Sequence, residues 1–146
     1  MQIPDRDQLR VPSLGEPRFP SPLLEARPSL EDDLDPVLVA STLSELETCG
    51  AGEAPPTFEA AGPREQLFFD PSRIACGILT CGGLCPGINN VIRSIVLSLT
   101  HDYGVPRILG FRYGFAGLAD PETDPPLELD ELAVKNVHHQ GGTMLG

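Results

Sequence analysis

The feature that most constrains this chain is one junction. Ile74-Ala75-Cys76-Gly77-Ile78-Leu79-Thr80 is a near-continuous apolar run of strand length, the pattern of a parallel strand buried on both faces. It breaks at Cys81-Gly82-Gly83-Leu84-Cys85-Pro86-Gly87. Beyond the break, Ile88, Ile92, Ile95, Val96 and Leu99 fall at i, i+4, i+7, i+8 and i+11, an apolar stripe that predicts an amphipathic helix. Pro86 suits the first helical turn, where a missing N–H costs nothing. Asn89, Asn90, Arg93, Ser94 and Ser98 lie mostly off the stripe, and the helix is expected to end around His101-Asp102-Tyr103-Gly104. Val105 to Phe111 predicts a second strand. Strand, helix and strand within about 40 residues make a βαβ unit, with parallel strands and a right-handed crossover. The expected fold class is therefore α/β.

The rest of the chain divides by composition. Residues 1–63 hold ten of the sixteen prolines and twelve of the twenty-one acids, against four arginines. Their net charge is −8, and that of residues 64–146 is −3. The boundary falls near Gly62-Pro63, leaving an acidic, Pro-rich, largely irregular extension over 1–63 and a folded part over 64–146. Residues 1–30 read as an extended or disordered arm. Leu38, Thr42, Leu43 and Leu46 suggest a short helix over residues 37–47. A Gly- and Pro-rich loop is expected from Arg112 to Pro126, and a short helix from Leu129 to His139. A second glycine turn, Gln140-Gly141-Gly142-Thr143-Met144-Leu145-Gly146, comes last. With two parallel strands, one helix and no third strand, the expected state is a piece of a larger sheet domain.

Composition excludes several functions. A phosphate-backbone binder needs a basic face, and no Lys/Arg cluster exists here, so nucleic acid is not an expected partner. No run of about 18 apolar residues occurs, so no membrane span is expected. Cys76, Cys81 and Cys85 crowd one strand-turn segment, with Cys49 upstream. That spacing suits a reduced intracellular protein better than a disulfide scaffold. Cys81-x3-Cys85 as a zinc site lacks a second ligand pair, so small buried thiols are the plainer reading.

The glycine turn carries the chemistry. Glycines let the main chain approach a ligand with no Cβ in the way. A helix start presents unpaired N–H groups and a partial positive charge. Together they form a phosphate cradle at the carboxyl end of a strand, where open α/β sheets bind ligands. The order Gly-Gly-x-x-Pro-Gly is neither a Walker A loop nor the dinucleotide Gly-x-Gly-x-x-Gly. A dinucleotide enzyme would also need an acidic ribose contact after a second strand, and Asp102 sits instead at a helix end. A tight connection that binds nothing remains the other reading of the turn.

Gly77 to Arg93 resembles the opening of the 6-phosphofructokinases, in the long group with Cys-Gly-Gly-Leu-Cys-Pro-Gly. Three further blocks match in order: Ile108 to Leu118, the pair His138-His139, and Gly141 to Gly146. Gly62-Pro63-Arg64 and Phe68-Phe69-Asp70-Pro71 resemble that group's lead-in, so the resemblance covers roughly residues 58–146. It implies the start of a nucleotide-binding, Rossmann-like parallel-sheet domain over 64–146. The implied reaction is glycolytic transfer of a phosphoryl group from ATP to the 1-hydroxyl of fructose 6-phosphate. Pyrophosphate replaces ATP in some members, and Mg2+ accompanies the donor. A non-catalytic phosphate-binding module stays open as a different class. The implied setting is cytoplasmic, in an allosteric homodimer or homotetramer.

Carried over by position, Gly83 is the donor-contacting glycine, with Gly82 beside it. Phe115 stands where an aromatic packs near the nucleotide base; Tyr is common there, so stacking survives and a hydroxyl contact does not. Simple core packing is the plainer reading of Phe115. Arg93 matches a position that contacts an allosteric nucleotide in short bacterial relatives, against the plainer reading of a solvated helix arginine. His138-His139 reads as ligands or acid–base groups, or more plainly as a surface or interface pair. The resemblance assigns no catalytic base and no metal ligand to this chain, because those blocks would follow Gly146. The isolated 146-residue chain is therefore expected to lack kinase activity. A coupled assay detecting fructose 1,6-bisphosphate formation by the purified chain would contradict this.

Overall fold

The computed structural model describes residues 9, 12–26, 36–48, 54–82 and 84–146. Its elements begin with β1 (Phe19–Pro20), α1 (Leu23–Ala26), β2 (Val37–Leu38), α2 (Leu43–Thr48), β3 (Thr57–Phe58) and β4 (Gln66–Leu67). These are short. β2 pairs antiparallel with β3, and β1 pairs antiparallel with β4. Arg18 N–H donates to Leu67 O (2.9 Å) and Ser21 N–H to Glu65 O (2.7 Å), so main-chain bonds tie residues 18–21 to the lead-in of the folded part.

The helix expected over 37–47 forms only in its second half, because Val37 and Leu38 are strand. A reciprocal cap sets the start of α2. Glu45 N–H donates to Thr42 Oγ1 (3.3 Å), while Glu45 Oε2 accepts from Thr42 N–H (3.2 Å) and Ser41 N–H (2.9 Å). This Thr-x-x-Glu box satisfies donors that the first helical turn leaves open. Upstream of it, β-branched Val37 and Val39 favour extended backbone. The same bonds, Ser41 first, hold the Glu45 carboxyl below its ordinary range.

The core belongs to β5 (Ala75–Leu79), α3 (Ile88–His101), β6 (Arg107–Phe111), α4 (Phe115–Ala119) and β7 (Leu127–Glu128). β5 and β6 pair in parallel, Ala75 opposite Arg107 through Leu79 opposite Phe111. Strand, helix and parallel strand thus stand where the apolar patterning puts them. A third strand, which the sequence reading lacked, joins antiparallel: in β7, Leu127 faces Gly110 and Glu128 faces Leu109. The sheet order is β5-β6-β7.

One face of the sheet carries the packing. Ile92 and Val96 of α3 are almost fully buried against Ile108 of β6, with Val105, Leu129, Val134, Val137 and Leu145 completing the cluster. Cys76 and Ile78 of β5 pack on it from the strand side, as do Ile88 and Leu99 of the helix. Gly110 is small of necessity: a Cβ there would lie 2.6 Å from Leu145 and 2.9 Å from Leu129. The expectation that β5 is buried on both faces is not met. Its residues alternate, with Ala75 and Gly77 exposed and Cys76 and Ile78 half-buried. Helix α3 covers one face only, and on the other the Phe111 ring lies over Gly77, 2.8 Å from where a Cβ would stand. Ile95, counted in the stripe, lies at its edge and is exposed.

The segment from Leu129 to His139 is not a helix. Asp130 Oδ1 accepts from Ala133 N–H (2.7 Å), and a 3-10 turn spans Val137–His139. The residues that bury there are Leu129, Val134 and Val137, while Leu132 is exposed. Those spacings of five and three do not make one helical face. The loop from Arg112 to Pro126 holds α4, one short helix within the expected irregular stretch.

This packing predicts where stability is most sensitive. Ile92→Ala is expected to cost about 2–5 kcal/mol, the range for a buried aliphatic truncated in a close-packed core. Ile95→Ala should cost well under half of that. Paired urea denaturation curves will read the difference.

Candidate functional site

Three stretches of main chain meet at the carboxyl ends of β5 and β6. The first is the glycine turn, residues 81–87, between β5 and α3. Its described residues are exposed, Leu84 most of all. Gly82 has φ +109 and Gly87 φ +86, and neither has an atom of the described residues within 4 Å of where a Cβ would stand. Both positions therefore demand glycine for backbone reasons, and both open toward free space. Gly83 lies outside the described residues.

The start of α3 is not as open as the sequence suggests. Gly87 is its N-cap and supplies no side-chain cap. Pro86 precedes that cap and does not occupy the first turn. Ile88 N–H donates to Cys85 O (3.3 Å), and both Asn90 N–H (3.0 Å) and Val91 N–H (3.1 Å) donate to Gly87 O. These amides are used within the turn, so they are not the open donors that a bare helix start would present.

The second stretch is the corner after β6. Gly114 approaches the end of β5 so closely that a Cβ would stand 3.0 Å from Thr80 O and 3.5 Å from Cys81 Sγ. Tyr113 adopts φ +57, the only positive φ on a non-glycine residue among those described. The Arg112 guanidinium sits 4.9 Å over the Tyr113 ring, and its Nη2 donates to the Tyr113 hydroxyl (2.8 Å).

The third stretch is the second glycine turn, residues 140–146. Tyr113 N–H donates to Leu145 O (2.8 Å), and the side chain of Leu145 is fully buried. The hydroxyls of Thr80 and Thr143 share a hydrogen bond of 2.9 Å. Asn89 makes the closest tie. Its Nδ2 donates to Gly142 O (2.7 Å) and Gln140 O (3.2 Å), and its Oδ1 accepts from Met144 N–H (2.9 Å). Between the two glycine turns lies a cavity of about 380 Å³, lined by residues that include Leu84, Gly87, Asn89, His138 and Gly141.

Residues 75–146 match the family model described as Phosphofructokinase. The chain belongs to the phosphofructokinase family. It is 46% identical over 96% of its length to a protein named ATP-dependent 6-phosphofructokinase in Amycolatopsis methanolica, covering 32% of that protein. A protein of the same name in Trypanosoma brucei brucei is 47% identical over 60% of the chain, which covers 18% of it. A third, in Entamoeba histolytica, is 35% identical over the whole chain, which covers 35% of it. The chain thus spans about a third or less of the relatives it matches. Similarity to the first and third also runs through the Pro-rich extension, beyond the lead-in where the motifs began.

Within this phosphofructokinase region the singled-out residues are dispersed. Gly82 is at the first turn. Phe115 opens α4 just past Gly114 and is 67% exposed, so it is not packed in the core. It does not line the cavity between the turns. Arg93 is half-buried, and its Nε is buried with no hydrogen-bond partner among the described residues. His138 and His139 are exposed with ring centroids 3.9 Å apart. Cys81 and Cys85 are exposed, contrary to the buried-thiol expectation, because the turn holding them leaves the core. Cys76 is half-buried, and burial pushes its thiol up. Cys49 lies outside the described residues. No group of three or more His, Cys, Asp or Glu able to hold a metal ion occurs among the described residues, and none of their helices is long and apolar enough to cross a membrane.

The sequence reading missed Asn89, Thr80 and Thr143. A signal for Asn89 was present: it precedes Ile92 and Val96 by three and seven residues, which puts it on the buried stripe rather than off it.

Partial desolvation first, then the positive charges of His139 and Arg93, lower the His138 pKa. The neutral ring is favoured in the folded state. Any resulting stability change therefore goes against the fold as pH drops through the normal histidine value toward the lowered one. Replacing Arg93 with Met is expected to raise the His138 midpoint, and a proton NMR titration of the ring will measure it.

Proposed function

We propose that this chain supplies the donor-binding wall of an ATP-dependent 6-phosphofructokinase, which transfers a phosphoryl group to the 1-hydroxyl of fructose 6-phosphate. The observation that carries this reading is the open, glycine-held turn at the carboxyl end of β5, with the second glycine turn tied beside it. In open α/β sheets that end of the strands is where ligands bind. Gly82 and Gly83 would bring bare main chain to the donor phosphates, and the exposed ring of Phe115 would lie against the base. Phosphoryl transfer asks a protein mainly for positioning and charge neutralisation. Rigid backbone turns suit the first task. Mg2+ would travel with the donor and neutralise its phosphates; the glycine turns bring no carboxylate toward it. The full-length enzyme is read as a cytoplasmic homodimer or homotetramer of glycolysis, with ATP favoured over pyrophosphate by the names of its relatives.

The test separates the role of Gly82 from its backbone strain. Gly82→Ala adds a Cβ on the open side of the turn. Gly104→Ala adds one at φ +66, also in open space, at the far end of α3. Both variants carry a left-handed penalty of roughly 1–2 kcal/mol. Titration calorimetry with ATP and with pyrophosphate is expected to show about tenfold weaker binding for Gly82→Ala, as for loss of one good hydrogen bond to a charged group. Gly104→Ala should bind as the parent does. Equal binding by both variants, or no binding of either ligand by the parent chain, would remove the donor-site reading.

A further inference from the structure

The side chain that holds the two glycine turns together belongs to neither of them. Asn89 is 3% exposed, in the first turn of α3. All three of its hydrogen bonds reach main chain 51 to 55 residues away. The bonds require a primary amide. Two donors face the carbonyls of Gln140 and Gly142, and one acceptor faces the N–H of Met144. Neither an acid nor a hydroxyl offers that set.

We propose that Asn89 is a positioning residue for the donor site, making residues 84–87 and the turn at 140–146 one rigid cradle. This rests on the donor-site reading above. The mechanism is mechanical. Gly141 has open space at its Cβ position and Gly142 has φ +77, so the second turn has little of its own to fix it. Its position is set at one end by Asn89 and at the other by the buried Leu145 side chain and the Thr80–Thr143 hydroxyl pair. A phosphate seated on the first turn also stiffens or shifts the N-terminus of α3. Asn89 carries that shift into residues 140–144.

The experiment uses the 146-residue chain, isotopically labelled, with inorganic pyrophosphate as the probe. In the parent chain the Met144 amide should exchange slowly with solvent, and amides of both turns should shift along one binding curve. In Asn89→Ala, Met144 exchange should rise about tenfold, the scale of one lost hydrogen bond, with amides in the middle of α3 unchanged. Pyrophosphate should then shift only the first turn. Asn89→Asp should match Asn89→Ala at neutral pH for the Gln140 and Gly142 contacts. Acidification should partly restore the shared response, because a protonated carboxyl regains one donor. A merely structural role would restore amide protection in residues 140–144 on acidification without restoring the shared response to pyrophosphate. Unchanged Met144 exchange in Asn89→Ala, or a response still shared by both turns, would overturn the proposal. A parent chain that ignores pyrophosphate would instead count against the donor-site reading, and Met144 exchange would still decide whether Asn89 fixes the second turn.

Discussion

The register of β5 on β6 is the constraint from which the site follows. Pairing Leu79 with Phe111 brings the ends of both strands to one level. Thr80 and Gly114 then lie so close that a side chain at position 114 would strike the Thr80 carbonyl. A slip of β5 by one residue would turn Cys76 and Ile78 away from the core cluster they pack on. The same hydrophobic contacts that stabilise the sheet therefore fix where the two turns meet. The polar side chains there join the turns to one another instead, Asn89 to Gly142 and Thr80 to Thr143.

The parts of the fold legible in the sequence were those with strong periodicity. Ile88, Ile92, Val96 and Leu99 announced α3, and the short apolar runs on either side announced two parallel strands. Segments without a period misled. Leu132, Val134 and Val137 looked helical as a list of apolar residues. In the fold only two of them are buried, and the backbone follows the Asp130 turn instead. Strand β7 was invisible because it is two residues long and gains its place from its partner, β6. Three-residue patterns and local propensity carry little information when tertiary pairing decides the outcome.

Site residues show a similar division. The turn's need for glycine was legible from its composition, and Gly82 and Gly87 do take positive φ there, while Gly83 lies outside the described residues. Asn89 was read as polar helix surface, although its spacing from Ile92 and Val96 put it on the inner face. Its partners are carbonyls and an amide of a loop more than 50 residues on. Main-chain partners leave no mark in a sequence, because every residue carries the same ones. The exposed thiols of Cys81 and Cys85 erred in the other direction: a small apolar residue type was assumed to be inside, but a turn built to face solvent takes its side chains with it.

The short pairing of β1 with β4 has a consequence for how this family varies. Phe19 and Pro20 meet Leu67 and Gln66 through backbone atoms, and Phe19 keeps much of its ring in solvent. Such a joint reads chain direction and reach while ignoring most side-chain identities. A segment fastened in this way can change in composition or length while its backbone pairing stays the same. One relative matches 60% of this chain and another matches all of it, which such loose fastening would permit.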